Sequence, residues 1–274
     1  MFQQTIKKSI SLNGIGLHSG KKVSLTFKPA DENTGIIFVR SDLKDCPKIK
    51  VASENISYRM RCTSLVTSHA EVHTTEHLLA TCFALGITNL ILEINGPEVP
   101  GCDGSASDFC KILDEAEIIR QKCEVSPVIV KKEIHLEDKN ATIKALPYSN
   151  GLKLEYQLDY NVPFLKPQHV AFETKKETFE KEIAPARTFA LKQEVDYLLK
   201  LGLGKGANLQ NTLVIDENGN VVENELRFPD EFARHKLLDL LGDISLTGKP
   251  IQGHIIAKRS GHSLNAKLVK QLCS

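Results

Sequence analysis

The sequence predicts an α+β fold built from two like sandwich domains, each β-α-α-β in layout and each carrying an insertion. Three observations lead there. Short alternating runs dominate residues 2–66 and return from 128 to 174. Each β-rich run is followed by a helical pattern, a strand and a second helical pattern. The length of 274 residues suits two ordinary cores, since domains commonly run to about 100–150 residues. The expected division is residues 1–122 and 123–274.

In the first half, strands are expected over 3–12, 22–28, 36–40 and 62–66, with Asp-Glu-Asn-Thr-Gly (31–35) as a turn. From 74 to 85 the period becomes helical: Leu78, Leu79, Cys82, Phe83 and Leu85 share one side. Thr74 or Thr75 suits the N-cap, Gly86 suits the stop, and Glu76 and His77 fall in the first turn. A strand at 88–94, a Gly/Pro loop through Gly104 and a helix at 107–119 complete the unit, and residues 121–127 read as a linker. The second half offers strands at 128–136, 141–146, 152–160 and 169–174, a helix at 228–243, a strand at 251–258 and a helix at 264–272. Residues 183–206, with a short helix at 193–200, interrupt this order as an insertion. The shared order puts His77 and the His235 helix in corresponding places, facing each other across the domain junction, where the active site is expected.

Composition narrows the function. Lys and Arg total 35 against 34 Asp and Glu, so there is no overall field to gather nucleic acid. Hydrophobic content of 41% and charged content of 25% are those of a globular protein. No apolar run reaches the roughly 20 residues of a membrane span. The amino terminus lacks an apolar signal core, so a cytoplasmic protein is expected, and a monomer. The cysteines at 46, 62, 82, 102, 110, 123 and 273 form no Cys-x-x-Cys pair and read as reduced thiols, which favours a metal held by His and carboxylate.

The chemistry concentrates on the helix at 228–243. Pro229 suits its first turn, Asp230 and Glu231 the positive end of its dipole, and Gly242 its end. Its apolar face carries Ala233, Leu237, Leu238, Leu240 and Leu241, while His235, Lys236, Asp239 and Asp243 gather opposite. His235 and Asp239 stand at i and i+4, one turn apart, near enough to hold one cation. Alone, such a pair is commonly a surface ion contact. Zn²⁺ accepts both ligand types, and a hydrolytic zinc site needs a third protein ligand. Glu76-His77 is its natural source, one side chain reaching the metal and the carboxylate standing beside it. His262 lies in a Gly/Ser turn, where Asp243 could hold its imidazole in the cationic form. Gly202-Leu-Gly-Lys-Gly206 follows a helix and lacks Gly-Lys-Ser/Thr, which excludes nucleotide hydrolysis. His18 and Asp103, both in turns, read as structural.

Taken together, Thr-Thr-Glu-His-Leu-Leu-Ala (74–80), Ala-Arg-Thr-Phe (186–189), Arg-His-Lys-Leu-Leu-Asp-Leu-Leu-Gly-Asp (234–243) and Ser-Gly-His-Ser-Leu-Asn (260–265) resemble the UDP-3-O-acyl-N-acetylglucosamine deacetylase family of lipid A synthesis. Gly-Leu-His-Ser-Gly-Lys-Lys near the start and Asp-Gly-Ser (103–105) extend the resemblance over nearly the whole chain. It implies a zinc amidase that removes acetate from a UDP-linked acylated amino sugar. Carried over, His77, His235 and Asp239 are the zinc ligands, Glu76 the general base and His262 the cationic partner, held by Asp243. Thr188 is an oxyanion contact and Lys236 a charged neighbour. The resemblance also favours the insertion, with Phe189, Leu198 and Leu203, as a passage for the acyl chain. Glu76 and His262 both remain candidates for protonating the amine.

Overall fold

A computed structural model describes residues 1–274, the side chain of Tyr58 excepted. The first half runs through β1 (Phe2–Ile6), β2 (Ile10–Ile15), β3 (Lys22–Lys28), β4 (Ile36–Arg40) and β5 (Lys48–Lys50). An antiparallel excursion of β6 (Ile56–Arg59), β7 (Cys62–Val66) and β8 (Glu71–His73) precedes α1 (Glu76–Ala84). Then follow β9 (Leu90–Ile94), α2 (Ser107–Glu115) and β10 (Ile118–Glu124). The second half opens with β11 (Val128–Ile129), β12 (Ile134–Asp138), β13 (Ala141–Leu146), β14 (Leu152–Leu158) and β15 (Gln168–Glu173). Its excursion holds the single turn α3 (Lys176–Thr178), β16 (Phe189–Leu191), α4 (Lys192–Lys200) and β17 (Leu213–Ile215). The chain ends with α5 (Glu231–Ile244), β18 (Ile251–Lys258) and α6 (His262–Cys273).

The two main sheets share one topology. Their strand orders are β2-β3-β9-β4-β5 and β12-β13-β18-β14-β15. In each, the central strand is antiparallel to one neighbour and parallel to the other: β9 to β3 and β4, β18 to β13 and β14. In each, one helix precedes that central strand and one follows it. The excursions also enter at the same point, after the fifth strand and before the first helix. This is the duplicated α+β architecture expected from the order of patterns.

Alternation makes the sheets one-sided. Leu152, Leu154, Tyr156 and Leu158 of β14, with Ile255 and Ala257 of β18, point to the core. α1 is buried on almost every side, as suits a helix with little amphipathic contrast, and it packs on α5. The helices meet closely because Gly242 has no side chain: a Cβ there would stand 2.1 Å from the Glu76 carbonyl oxygen. Gly104 plays a similar part at the edge of the second excursion. Its φ of +81° and a carbonyl 1.8 Å from where a Cβ would stand leave room for no other residue.

Several elements depart from expectation. The first strand is two, broken at 7–9, and residues 128–136 form two short strands. Residues 121–124, expected as a linker, are the end of β10, which pairs antiparallel with β1, and the boundary expected at 122/123 falls inside it. The sequence there is mostly polar because this two-stranded edge keeps one face in water. The second helix ends at Glu115, where a left-handed Glu117 turns the chain into that strand. α5 starts at Glu231, three residues later than the pattern suggested, and α6 starts at His262, two residues earlier. Among the described residues no helix is long and apolar enough to cross a membrane.

Gly242→Ala tests the helix crossing. In an open helix the change would stabilise by about 1 kcal/mol. Here the overlap with the Glu76 carbonyl should outweigh that gain and give a net loss of about 1–3 kcal/mol. Urea unfolding reads the difference, and an unchanged or raised midpoint would contradict the close crossing.

Candidate active site

The chain enters α1 through a strained residue. Thr74, β-branched, has φ of 57°, and its hydroxyl donates to Glu98 at 3.2 Å. Glu98 also accepts the backbone N–H groups of His18 at 2.7 Å and Ser19 at 2.8 Å. One buried carboxylate thus ties the turn before α1 to the loop after β2. Glu76 and His77 then open α1, directed at α5.

His77 Nε2 lies 3.3 Å from Asp239 Oδ1, and His235 Nε2 lies 3.5 Å from the same oxygen. The two rings stand edge to face, centroids 4.9 Å apart. One donor atom from each of the three residues falls within 4.8 Å of the others, and all three residues are buried. His235 Nδ1 faces the Ala186 carbonyl at 3.1 Å; a carbonyl can only accept, so Nδ1 carries the proton and Nε2 a free lone pair. Burial lowers the His235 pKa to about 4, with the charges of His77 and Lys236 adding to the effect, so the ring is neutral near pH 7. Burial opposes ionisation of Asp239, but Lys236 and His235 beside it and a bond from His77 hold its carboxyl well below the usual range. Lys236 donates to Asp239 Oδ2 at 2.6 Å, and this pairing keeps its ammonium charged despite burial. Imidazole nitrogens converging with an ionised carboxylate oxygen suit a divalent metal of the zinc type.

Glu76 stands beside this group, 4% exposed, accepting the Thr63 backbone N–H at 3.0 Å. Burial raises its carboxyl pKa, against the pull of His262 and His77. On the other side, His262 Nδ1 meets Asp243 Oδ2 at 2.9 Å. Asp243 also accepts from the Thr63 hydroxyl and from Asn265 Nδ2 at 2.7 Å. Burial pushes the His262 imidazole down, but Asp243, by charge and hydrogen bond, and Glu76 outweigh it and raise the pKa to about 9. Because His262 begins α6, the helix dipole opposes a cation there, so the charge depends on Asp243.

All of this opens into a cavity of about 790 Å³. Its floor is the His77, His235 and Asp239 group with Glu76, Lys236 and His262, and Thr188 and Phe189 flank it. Phe189 stacks on Phe232, centroids 4.8 Å apart, and stands edge-on to His235 at 6.1 Å. Val195, Leu198, Leu199 and Leu203 form an apolar arm, while His18, Arg61 and Arg259 line polar parts. The second excursion is anchored by a buried pair: Arg187 Nε donates to Glu231 Oε1 at 2.9 Å, beside Thr188.

Comparison with known proteins follows this geometry. Residues 3–274 match the family described as LpxC, UDP-3-O-acyl N-acetylglycosamine deacetylase. The chain belongs to this family. It is similar to a UDP-3-O-acyl-N-acetylglucosamine deacetylase of Thermodesulfovibrio yellowstonii, at 44% identity over 271 residues, which covers 99% of this chain and 91% of that protein. Proteins of the same name from Brucella melitensis biotype 2 and Brucella ovis are each 39% identical over 274 residues, covering 100% of this chain and 96% of theirs. The family is one of metalloenzymes, and His77, His235 and Asp239 are a group that could bind a metal.

All eleven residues singled out in the sequence lie at or beside this cavity, although Asp243 reaches it only through His262. α5 is buried on both sides, and the face of His235, Lys236, Asp239 and Asp243 meets the first half. One expectation needs correction. His262 is not in a turn but on the first turn of α6. His18, read as structural, lines the cavity, whereas Asp103 binds Ser105 and pairs with Arg227 at 2.9 Å. Sequence reasoning missed Thr63 and Tyr156; the Tyr156 hydroxyl donates to the Ser260 carbonyl beside His262. Both lie in strands whose alternation reads as plain core.

The His262 and Asp243 pair makes a direct prediction. Its contribution to stability should be complete below pH about 6.5 and should fade as pH rises through the folded value, about 9. An NMR titration of the His262 ring should find that high midpoint in the native protein. Asp243→Asn should bring it down towards the free imidazole value of about 6.5; an unmoved midpoint would show that Asp243 does not set it.

Proposed function

We propose that this chain hydrolyses the 2-acetamido group of UDP-3-O-acyl-N-acetylglucosamine, releasing acetate and the free amine, as a zinc-dependent step of lipid A synthesis in the cytoplasm. The observation that carries the reading is the His77, His235 and Asp239 group, with Glu76 against it, opening onto a cavity lined by both polar and apolar residues. Membership of the deacetylase family supports the substrate. In this reading the chain acts as a monomer of two domains, divided after β10 in the 125–127 segment.

Zinc held by the three ligands would supply Lewis acidity, polarising the amide carbonyl and making water a competent nucleophile near neutral pH. Glu76 is placed to take the proton from the attacking water; its raised pKa brings it closer to the working pH than an exposed carboxylate. Thr188 flanks the cavity and supports the developing oxyanion. His262 keeps its proton up to about pH 9, which makes it the donor for the departing amine. Lys236 keeps the Asp239 carboxylate ionised and oriented. Phe189, Leu198 and Leu203 shelter the acyl chain.

Metal analysis together with acetate release from the UDP-sugar tests the reading. Glu76→Gln should lower turnover by about 10²-fold or more, with zinc content unchanged; full turnover in that variant would remove Glu76 from the chemistry. The acyl arm has its own test. Each buried methylene is worth about 0.8 kcal/mol, nearly fourfold in affinity, so kcat/KM should fall stepwise as the 3-O-acyl chain is shortened. Leu198→Asp should flatten that series, and a flat series in the native protein would return the excursion to a packing role.

A further inference from the structure

α4 is a thinly held wall. It lines the apolar arm through Val195, Leu198 and Leu199, yet no residue of the helix is buried, and Tyr197 and Leu199 are 58% and 50% exposed. Little apolar packing therefore fixes its position. Among the described residues, the one hydrogen bond or ion pair joining an α4 side chain to another element runs from Glu194 Oε1 to Arg61 Nη2, at 2.7 Å. Arg61 sits in the β6–β7 turn, so this pair spans the two excursions, one from each half of the chain. Arg61 also lines the cavity, as does His18. His18 Nδ1 takes the Gly204 N–H at 3.4 Å, in the loop that follows α4. The ion pair thus joins the two excursions beside the cavity.

We infer that Arg61 and Glu194 are specificity-determining residues whose ion pair clasps α4 to the β6–β7 turn and sets the bore of the apolar arm, admitting slender straight chains over wide ones. The inference rests on reading that arm as the acyl site. Both side chains keep about a third of their surface in water (34% and 31%), which makes the clasp easy to open. Pairs of this kind shift an equilibrium by only about 1.5- to 5-fold, and salt screens them.

Hydrogen exchange on the metal-loaded full-length protein tests the clasp without using the reaction. In Arg61→Ala, α4 should exchange about 2- to 5-fold faster than in the native protein. Added salt should speed exchange in the native protein but not in the variant, and the swap of Arg61→Glu with Glu194→Arg should restore the native rate. Unchanged exchange, salt sensitivity that survives in Arg61→Ala, or a swap that fails to restore would each overturn the clasp. The bore is tested by binding of tetradecanoic acid against a pyrene-tipped fatty acid: the ratio should move towards the wide acid by a similar factor in Arg61→Ala. A ratio that stays fixed while α4 loosens would overturn the specificity role. Free acids need no deacetylation, so a shifted ratio in a protein that releases no acetate would refute the proposed reaction and leave the clasp standing.

Discussion

The structure depends on one contact between two helices, where the backbone of α5 at Gly242 lies against the backbone of α1 at Glu76. No side chain separates the axes there, so residues one turn away are brought into reach. His77 on α1 meets His235 and Asp239 on α5 at distances that longer spacers could not give. The same proximity buries most of both helices and joins the cores of the two halves into one apolar cluster. Core and site are therefore set by a single geometric choice.

Putting polar groups at such a junction is costly unless each is answered. Here the answers come from several directions: the Ala186 carbonyl for His235, Lys236 for Asp239, the Thr63 amide for Glu76, and Asp243 for His262. Thr63 is the hinge of this arrangement, because its amide serves Glu76 while its hydroxyl serves Asp243. Two carboxylates, one on each helix, are thereby held in register by one residue. What stays open is the convergence of the His77 and His235 ring nitrogens on Asp239, a group that could hold a metal ion.

Much of this was legible in the sequence, for reasons that also explain what was not. His235 and Asp239 could be paired because a helix has a fixed period, whereas Gly242, read as that helix's stop, lies inside it and serves the crossing with α1. His77 could be matched to them because the order of patterns repeats, and the sheets bear that repeat out strand by strand. Thr63 was invisible, since a threonine in a buried strand has the same signature whether it packs or donates. The Ala186 carbonyl was invisible for a deeper reason: a backbone acceptor can sit under any side chain. β10 was misread because an edge strand with one wet face looks like a linker until its partner, a hundred residues away in sequence, is known.

That pairing of β1 with β10 bears on synthesis. The strand of residues 2–6 has no partner strand until residues 118–124 have been made, so the first half stays unclosed while most of its length emerges from the ribosome. The group that could hold a metal is later still, since it waits for residue 239. A nascent chain therefore passes through a long interval with His77 in place and nothing to complete it. In the proposed reading metal loading waits for residue 239, and a product of translation arrest before it carries an incomplete group.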